Sequence, residues 1–336
     1  MRKYLLALLI ILISLAGCKK ADDVLTPTAV NIIQADDLNE LSAVHTIDTQ
    51  EAVSVQWAKD GSVFWLTGMW ETMLFDGLTY EKLDSYMVDE FGVLYDTSPD
   101  GRTIALSLDP TTIVLYDIQN DQEVLSIEPG FAFSGSLFAP DGKTLAVISL
   151  DEIAVSLFDV QSGAQLDTLS GFETAAPIYS AQFGEDGSTF LWVSRGTVQP
   201  MELASKKMGE ALYHEDFVSA AAVSPDSKYI ATASAGTLTG GDFVPLVTLW
   251  DAKTGSIEKQ MSFLEPIQSV AFSPNGKILV SGAYEALLFW DGENGSPLRT
   301  ILDAHEESII SLAFSPDGSK LVTCSSDGVV KIWALD

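Results

Sequence analysis

The chain is poor in the residues that most chemistry requires. Its 336 residues include three histidines and two cysteines, and 18 lysines and arginines stand against 47 aspartates and glutamates. With a formal net charge of −29 the surface repels phosphate backbones and anionic head groups, so nucleic acid is not an expected partner. The same charge serves either solubility alone or recognition of a cationic protein partner. The patterns HExxH and GxSxG and the EF-hand loop are absent. Gly142-Lys143-Thr144 lacks the glycine spacing of a phosphate loop and starts a strand, so no helix N-terminus is available to bind phosphate. No cofactor and no catalytic constellation are expected.

Long apolar runs are scarce as well. Residues 4–16 form one of thirteen residues, short of the roughly 20 that span a bilayer as a helix. Preceded by Arg2 and Lys3 and followed by small residues, it has the layout of a secretory signal peptide over residues 1–17. Leu15-Ala16-Gly17-Cys18 resembles the lipobox of bacterial lipoproteins. The resemblance implies that Cys18 becomes the first residue of the mature chain and carries fatty acyl chains such as palmitate. The protein would then be exported and anchored in the cell envelope, at the outer membrane if there is one and otherwise on the outer face of the cytoplasmic membrane. Each buried methylene of such chains contributes about 0.8 kcal/mol to membrane attachment. Removing residues 1–17 takes away two cations and no acid, moving the charge from −29 to −31. Cys324 is then the only free thiol, in an apolar stretch where it reads as a small buried hydrophobe. Residues 18–40 lack strand periodicity and read as a tether with a short helical turn near Ala35 to Leu41.

What is abundant is turns and short apolar runs. Residues 309–336 contain three such runs, separated by Ser-Pro-Asp-Gly at 315–318 and Ser-Asp-Gly at 326–328, which predicts a three-stranded meander. The first turn recurs at Asp60-Gly61, Asp100-Gly101, Asp141-Gly142, Asp186-Gly187, Asp226-Ser227, Asn275-Gly276 and Asp317-Gly318, in steps of 40 to 49 residues. An aromatic-Asp mark keeps the same period at Phe75-Asp76, Tyr116-Asp117, Phe158-Asp159, Trp250-Asp251 and Trp290-Asp291, and fails in the fourth repeat. Two marks sharing one period of this length predict a propeller, because one short meander cannot bury its own apolar face.

The segments SVAFSPNGKILVSG and LWDAKTG, with the final SPDG and IW, resemble the WD40 family over residues 41–336. The resemblance implies an all-β, seven-bladed propeller in which the first strand, Leu41 to Ile47, pairs beside Val329 to Trp333 and closes the last blade. It also implies a structural tetrad of His305, Ser325, Asp327 and Trp333. His214 lies in the same phase as His305, twelve residues before its hairpin Asp, and His45 falls in a comparable loop.

Function is then expected of surface rather than of chemistry. The turns between second and third strands, which the resemblance places on one face, present Trp70-Glu71, Asp109-Pro110, Asp151-Glu152, Arg195-Gly196 and Tyr284-Glu285, with an insertion, AGTLTGGDFVP, that carries Phe243. Trp70, Arg195, Phe243 and Tyr284 are the expected binding residues of a non-enzymatic protein-interaction platform. Phe91, Phe131, Phe172 and Phe217, in adjoining loops, are expected to pack between blades. Two alternatives stay open: a propeller enzyme or ligand-binding protein using Asp109, Asp151 and Asp327 at the channel mouth, and a structural subunit of an envelope assembly.

Overall fold

A computed structural model describes residues 31–336 apart from 50–51, 69, 88–92, 151, 173–177, 179, 185, 238–242 and 336. Seven antiparallel sheets follow one another along the chain, and each is a blade. Blades 1 to 6 open with the inner strands Ala52–Trp57, Val93–Thr97, Phe133–Phe138, Ser180–Phe183, Val218–Val223 and Ile267–Phe272, and blade 7 with Ile309–Phe314. Seven apolar clusters hold the ring, each joining two neighbouring blades; Phe64 and Phe75 of blade 1, for example, pack on Val322 and Ile332 of blade 7. Between some blades the inner strands are also bonded, as where Ser269 Oγ donates to Ile309 O at 3.1 Å.

The recurrent Asp-Gly has two physical reasons. At each hairpin the glycine, or Ser227 in blade 5, adopts a positive φ that favours a residue without a side chain. Just before it, the Asp or Asn side chain accepts the backbone N–H two residues on, as Asp60 does from Ser62 and Asn275 from Lys277. The aspartates of the aromatic-Asp mark cap the next turn in the same way. Much of the acidic excess is therefore turn chemistry, and bonded caps such as Asp76 and Asp251 are held below the usual carboxylate range by those hydrogen bonds.

The ring closes as expected. Leu41–Asp48 pairs antiparallel with Val329–Leu335, from Leu41 opposite Leu335 to Asp48 opposite Val329, and supplies the outer strand of blade 7. His45 is consequently not in a loop: it lies in this strand opposite Ile332, its ring 5.1 Å from that of Tyr80.

The tether boundary needs correction. The helical turn is present as a 3-10 helix, Ala35–Glu40, but it is packed on the ring rather than held away from it. Ile33 and Leu38 are buried among Phe289, Ile309 and Trp333. The Ile33 N–H donates to Gly318 O at 2.9 Å, and Arg299 donates to the carbonyls of Leu38 and Leu41. Ile33, just before the helix, and Leu38, within it, seal the seam between blades 6 and 7. Periodicity was too short over so few residues to reveal this. Residues 1–30, including the expected leader and Cys18, lie outside the described residues.

Blade 4, where the aromatic-Asp mark fails, is also the irregular blade. Its outer strand is split into Lys207–Met208 and Leu212–Tyr213, both paired with Thr197–Glu202. The interruption falls at Pro200, which has no N–H to offer an outer neighbour. Gly209 still donates to Pro200 O at 2.8 Å, and the Gln199 side chain serves the Gly209 carbonyl that proline leaves unbonded.

Candidate functional site

Inner strands run from the loop that enters each blade to the Asp-Gly hairpin, so the turn between second and third strands returns to the face where the blade began. Backbone bonds knit this face together. Arg195 O accepts from Val218 N, Gly196 O from His214 N, Tyr284 O from Ile309 N, and Gly328 O from Thr49 N, each joining one blade's turn to the loop entering the next. A surface fixed in this way is preorganised for contact.

Trp70, Arg195 and Tyr284 all sit exposed on this face, Trp70 at 60% and Tyr284 at 41%. They occupy blades 1, 4 and 6, so they are distributed round the face rather than gathered in one pocket. Phe243 opens the third strand of blade 5, opposite Thr237. The insertion around it is not merely a longer turn. Tyr229–Thr237 and Phe243–Asp251 stay paired to their ends, so the added residues extend the hairpin by further rungs.

Sequence reasoning missed part of the apolar surface. Leu264, 90% exposed, and Leu302, Leu150 and Phe217 project from the same turns and entering loops. Of the phenylalanines expected to pack, Phe172 and Phe131 do, Phe172 against Trp192, whereas Phe217 is half exposed. Phe91 lies outside the described residues. A signal was available: Trp70-Glu71, Asp216-Phe217, Leu264-Glu265, Tyr284-Glu285 and Leu302-Asp303 each set an apolar side chain beside an acid within a turn or loop.

The tetrad forms with one substitution. His305 Nδ1 lies 3.2 Å from Asp327 Oδ2, and His305 Nε2 lies 2.7 Å from Thr323 Oγ1, which also accepts the Trp333 indole N–H at 3.0 Å. The hydroxyl is therefore that of Thr323, not Ser325. Trp333 is registered opposite Leu321, and its indole reaches diagonally to Thr323, two residues on. Ser325, another pleat further, bonds instead to Glu307 O at 3.1 Å. Burial lowers the His305 pKa, opposed by Asp327, and the neutral ring can accept from Thr323 while donating to Asp327.

Blade 5 has a partial version. Trp250 donates to Thr232 Oγ1 at 2.8 Å, and His214 packs edge-on to Trp250 with Nδ1 3.1 Å from Ser234 Oγ. Gly236 stands where Asp327 would be, and His214 Nε2 is buried without a partner. Burial pushes the His214 pKa down to about 4. Both histidines are thus engaged with a hydroxyl on the second strand of their blade.

Of the carboxylates of the enzyme alternative, the two among the described residues are each engaged locally. Asp109 caps its own turn through Thr111 N and Oγ1, both at 2.7 Å, and Asp327 is bonded to His305, Glu306 N and Val329 N. Asp151 lies outside the described residues. Among those described, no three His, Cys, Asp or Glu side chains are grouped to hold a metal ion. Cys324 is fully buried, and burial raises its thiol pKa, as a small core hydrophobe requires.

The model for "WD domain, G-beta repeat" matches residues 210–239, 259–291 and 295–334. Fold and matches together define an all-β, seven-bladed propeller with WD40 repeats. The chain is similar to the U3 small nucleolar RNA-associated protein 15 homolog of Xenopus tropicalis, 29% identical over 237 residues that cover 67% of this chain and 42% of that protein. It is also similar to COMPASS component SWD3 of Saccharomyces cerevisiae, 26% identical over 215 residues covering 60% of this chain and 65% of that protein. The chain thus spans less than half the length of the frog relative.

Proposed function

We propose that this propeller is a non-enzymatic protein-interaction platform whose working face is the one formed by the second-to-third-strand turns and the entering loops. The observation that carries this reading is the recurrence there of an exposed large apolar residue beside an acid: Trp70 with Glu71, Phe217 with Asp216, Leu264 with Glu265, Tyr284 with Glu285. Such side chains supply contact area at little entropic cost, and the adjoining carboxylates select a partner that sets apolar residues in a basic surround. A net charge of −29 disfavours direct contact with a nucleic-acid backbone.

The test is affinity capture with the chain and with a Trp70→Ala, Leu264→Ala, Tyr284→Ala variant of matched thermal stability. A basic partner kept by the parent and lost by the variant supports the reading; equal capture by both moves the site off this face. The name of the yeast relative describes a component of an assembly, which favours a permanent-subunit form of the same function. Co-purification in a fixed ratio would distinguish that form from transient capture.

Anchoring is a separate part of the proposal and rests on residues 1–18. Export through the leader and acylation of Cys18 would set the platform on a membrane of the cell envelope. Incorporation of a labelled palmitate analogue into the chain, lost in Cys18→Ala, is the expected result; equal labelling of both would remove the anchor.

A further inference from the structure

Opposite the platform face, a cavity of 680 Å³ occupies the half of the central channel nearest the Asp-Gly hairpins. Its wall is built from equivalent positions of all seven inner strands. The last residue of each strand contributes Trp57, Phe138, Phe183, Phe272 and Phe314 among others, and hairpin prolines such as Pro99 and Pro316 line the rim. The residue before each of these forms a second ring. It is Gln56, Leu137, Gln182, Ala222, Ala271 or Ala313 in six blades and Asp96 in blade 2.

Asp96 is thus the only charged member of either ring, and it is deliberately held. One carboxylate oxygen accepts from the Gln56 side chain of blade 1, and the other accepts the Phe138 N–H of blade 3 at 2.5 Å. Both bonds orient the carboxylate as an acceptor. No lysine, arginine or histidine among the described residues pairs with it. The nearest candidate by position, Lys59, lies at the rim and donates to Pro140 O at 3.3 Å. At the same level, across the ring from blade 2, blades 5 and 6 carry the small Ala222 and Ala271, which leaves room facing the carboxylate. A buried carboxylate that is hydrogen-bonded but has no opposite charge beside it is costly, and a bound cation offsets that cost.

We propose that this cavity binds a small organic cation, an ammonium on a compact apolar body, with Asp96 as its counter-ion and the alanine side of the ring receiving the apolar part. The site lies at the opposite end of the channel from the platform face and does not depend on that function.

Calorimetric titration of the purified chain with phenethylammonium, beside its neutral analogue phenethyl alcohol, tests the assignment. The cation is expected to bind at least about tenfold more tightly than the alcohol. Asp96→Asn should abolish that difference, although it leaves the rest of the acidic surface in place. Ala271→Leu should weaken both probes by filling the cavity while keeping the carboxylate, and so covers the case in which the Asp96 variant folds poorly. Cation binding unchanged in both variants would assign it to the general surface charge and overturn the site. Absence of phenethylammonium binding at millimolar concentration would overturn it as well.

Discussion

Trp333 donates its indole N–H to Thr323 Oγ1, and the same oxygen stands 2.7 Å from His305 Nε2. One hydroxyl thus serves two buried groups, and Ser325 serves neither. Replacing Thr323 by valine keeps the shape and strands both partners, so a loss of about 3 kcal/mol is expected in urea denaturation. Ser325→Ala, which loses only the bonds to Glu307 O and Asp327 N, is expected to cost about 1 kcal/mol. The reverse order would return the tetrad hydroxyl to Ser325.

His214 couples stability to pH. Its folded pKa, about 4, lies below the ordinary 6.5 because burial disfavours the charged ring. The unfolded chain therefore binds the extra proton first. The contribution is complete above pH 6.5 and is lost as pH falls from 6.5 through 4, by about 3 kcal/mol at most. Denaturation of the parent and of His214→Gln at several pH values should show a steeper acid loss in the parent; parallel curves would remove the assignment.

Asp96 is expected to act in the opposite sense. Burial pushes its pKa up to about 6 from an ordinary 3.8, against the hydrogen bonds from Phe138 N and Gln56. The folded state binds the extra proton first, so raising pH from 4 through 6 costs stability, by about 3 kcal/mol at most. Asp96→Asn should accordingly gain on the parent in melting temperature between pH 4.5 and 7.5. A difference independent of pH would show that the carboxylate is well solvated.

Three chains starting at residues 31, 41 and 49 should separate the seam from the closing strand. Loss of 31–40 removes the burial of Ile33 and Leu38, about 4 kcal/mol for two large side chains. Loss of 31–48 also bares the edge of Val329–Leu335, so a further drop in melting temperature with concentration-dependent association is expected. Equal stability of the first two chains would restore residue 40 as the tether's end.

The exposed residues of the proposed platform face were legible only in part. Trp70 and Tyr284 stood out because large aromatics within turns have no sheet face to enter. Leu264 did not, because a leucine near strand ends is ordinarily core, and only the path of its loop decides otherwise. The pairing of His305 with Asp327 is as the sequence suggested, but the hydroxyl between His305 and Trp333 belongs to Thr323, one pleat before the expected Ser325. Sequence spacing counts residues along a strand, whereas an indole reaches diagonally across two.

The closure of the ring was what the family resemblance implied; by itself the sequence determined the number of blades and their order. Those follow from local turn chemistry repeated at a fixed period, and each Asp-Gly acts on its own few residues. Only the tertiary structure decided what the ring encloses. Asp96 is one residue among 47 acids until seven inner strands converge, and the packing of Ile33 and Leu38 exists only where blades 6 and 7 meet. Both depend on distances between segments far apart in the chain, which no local pattern encodes.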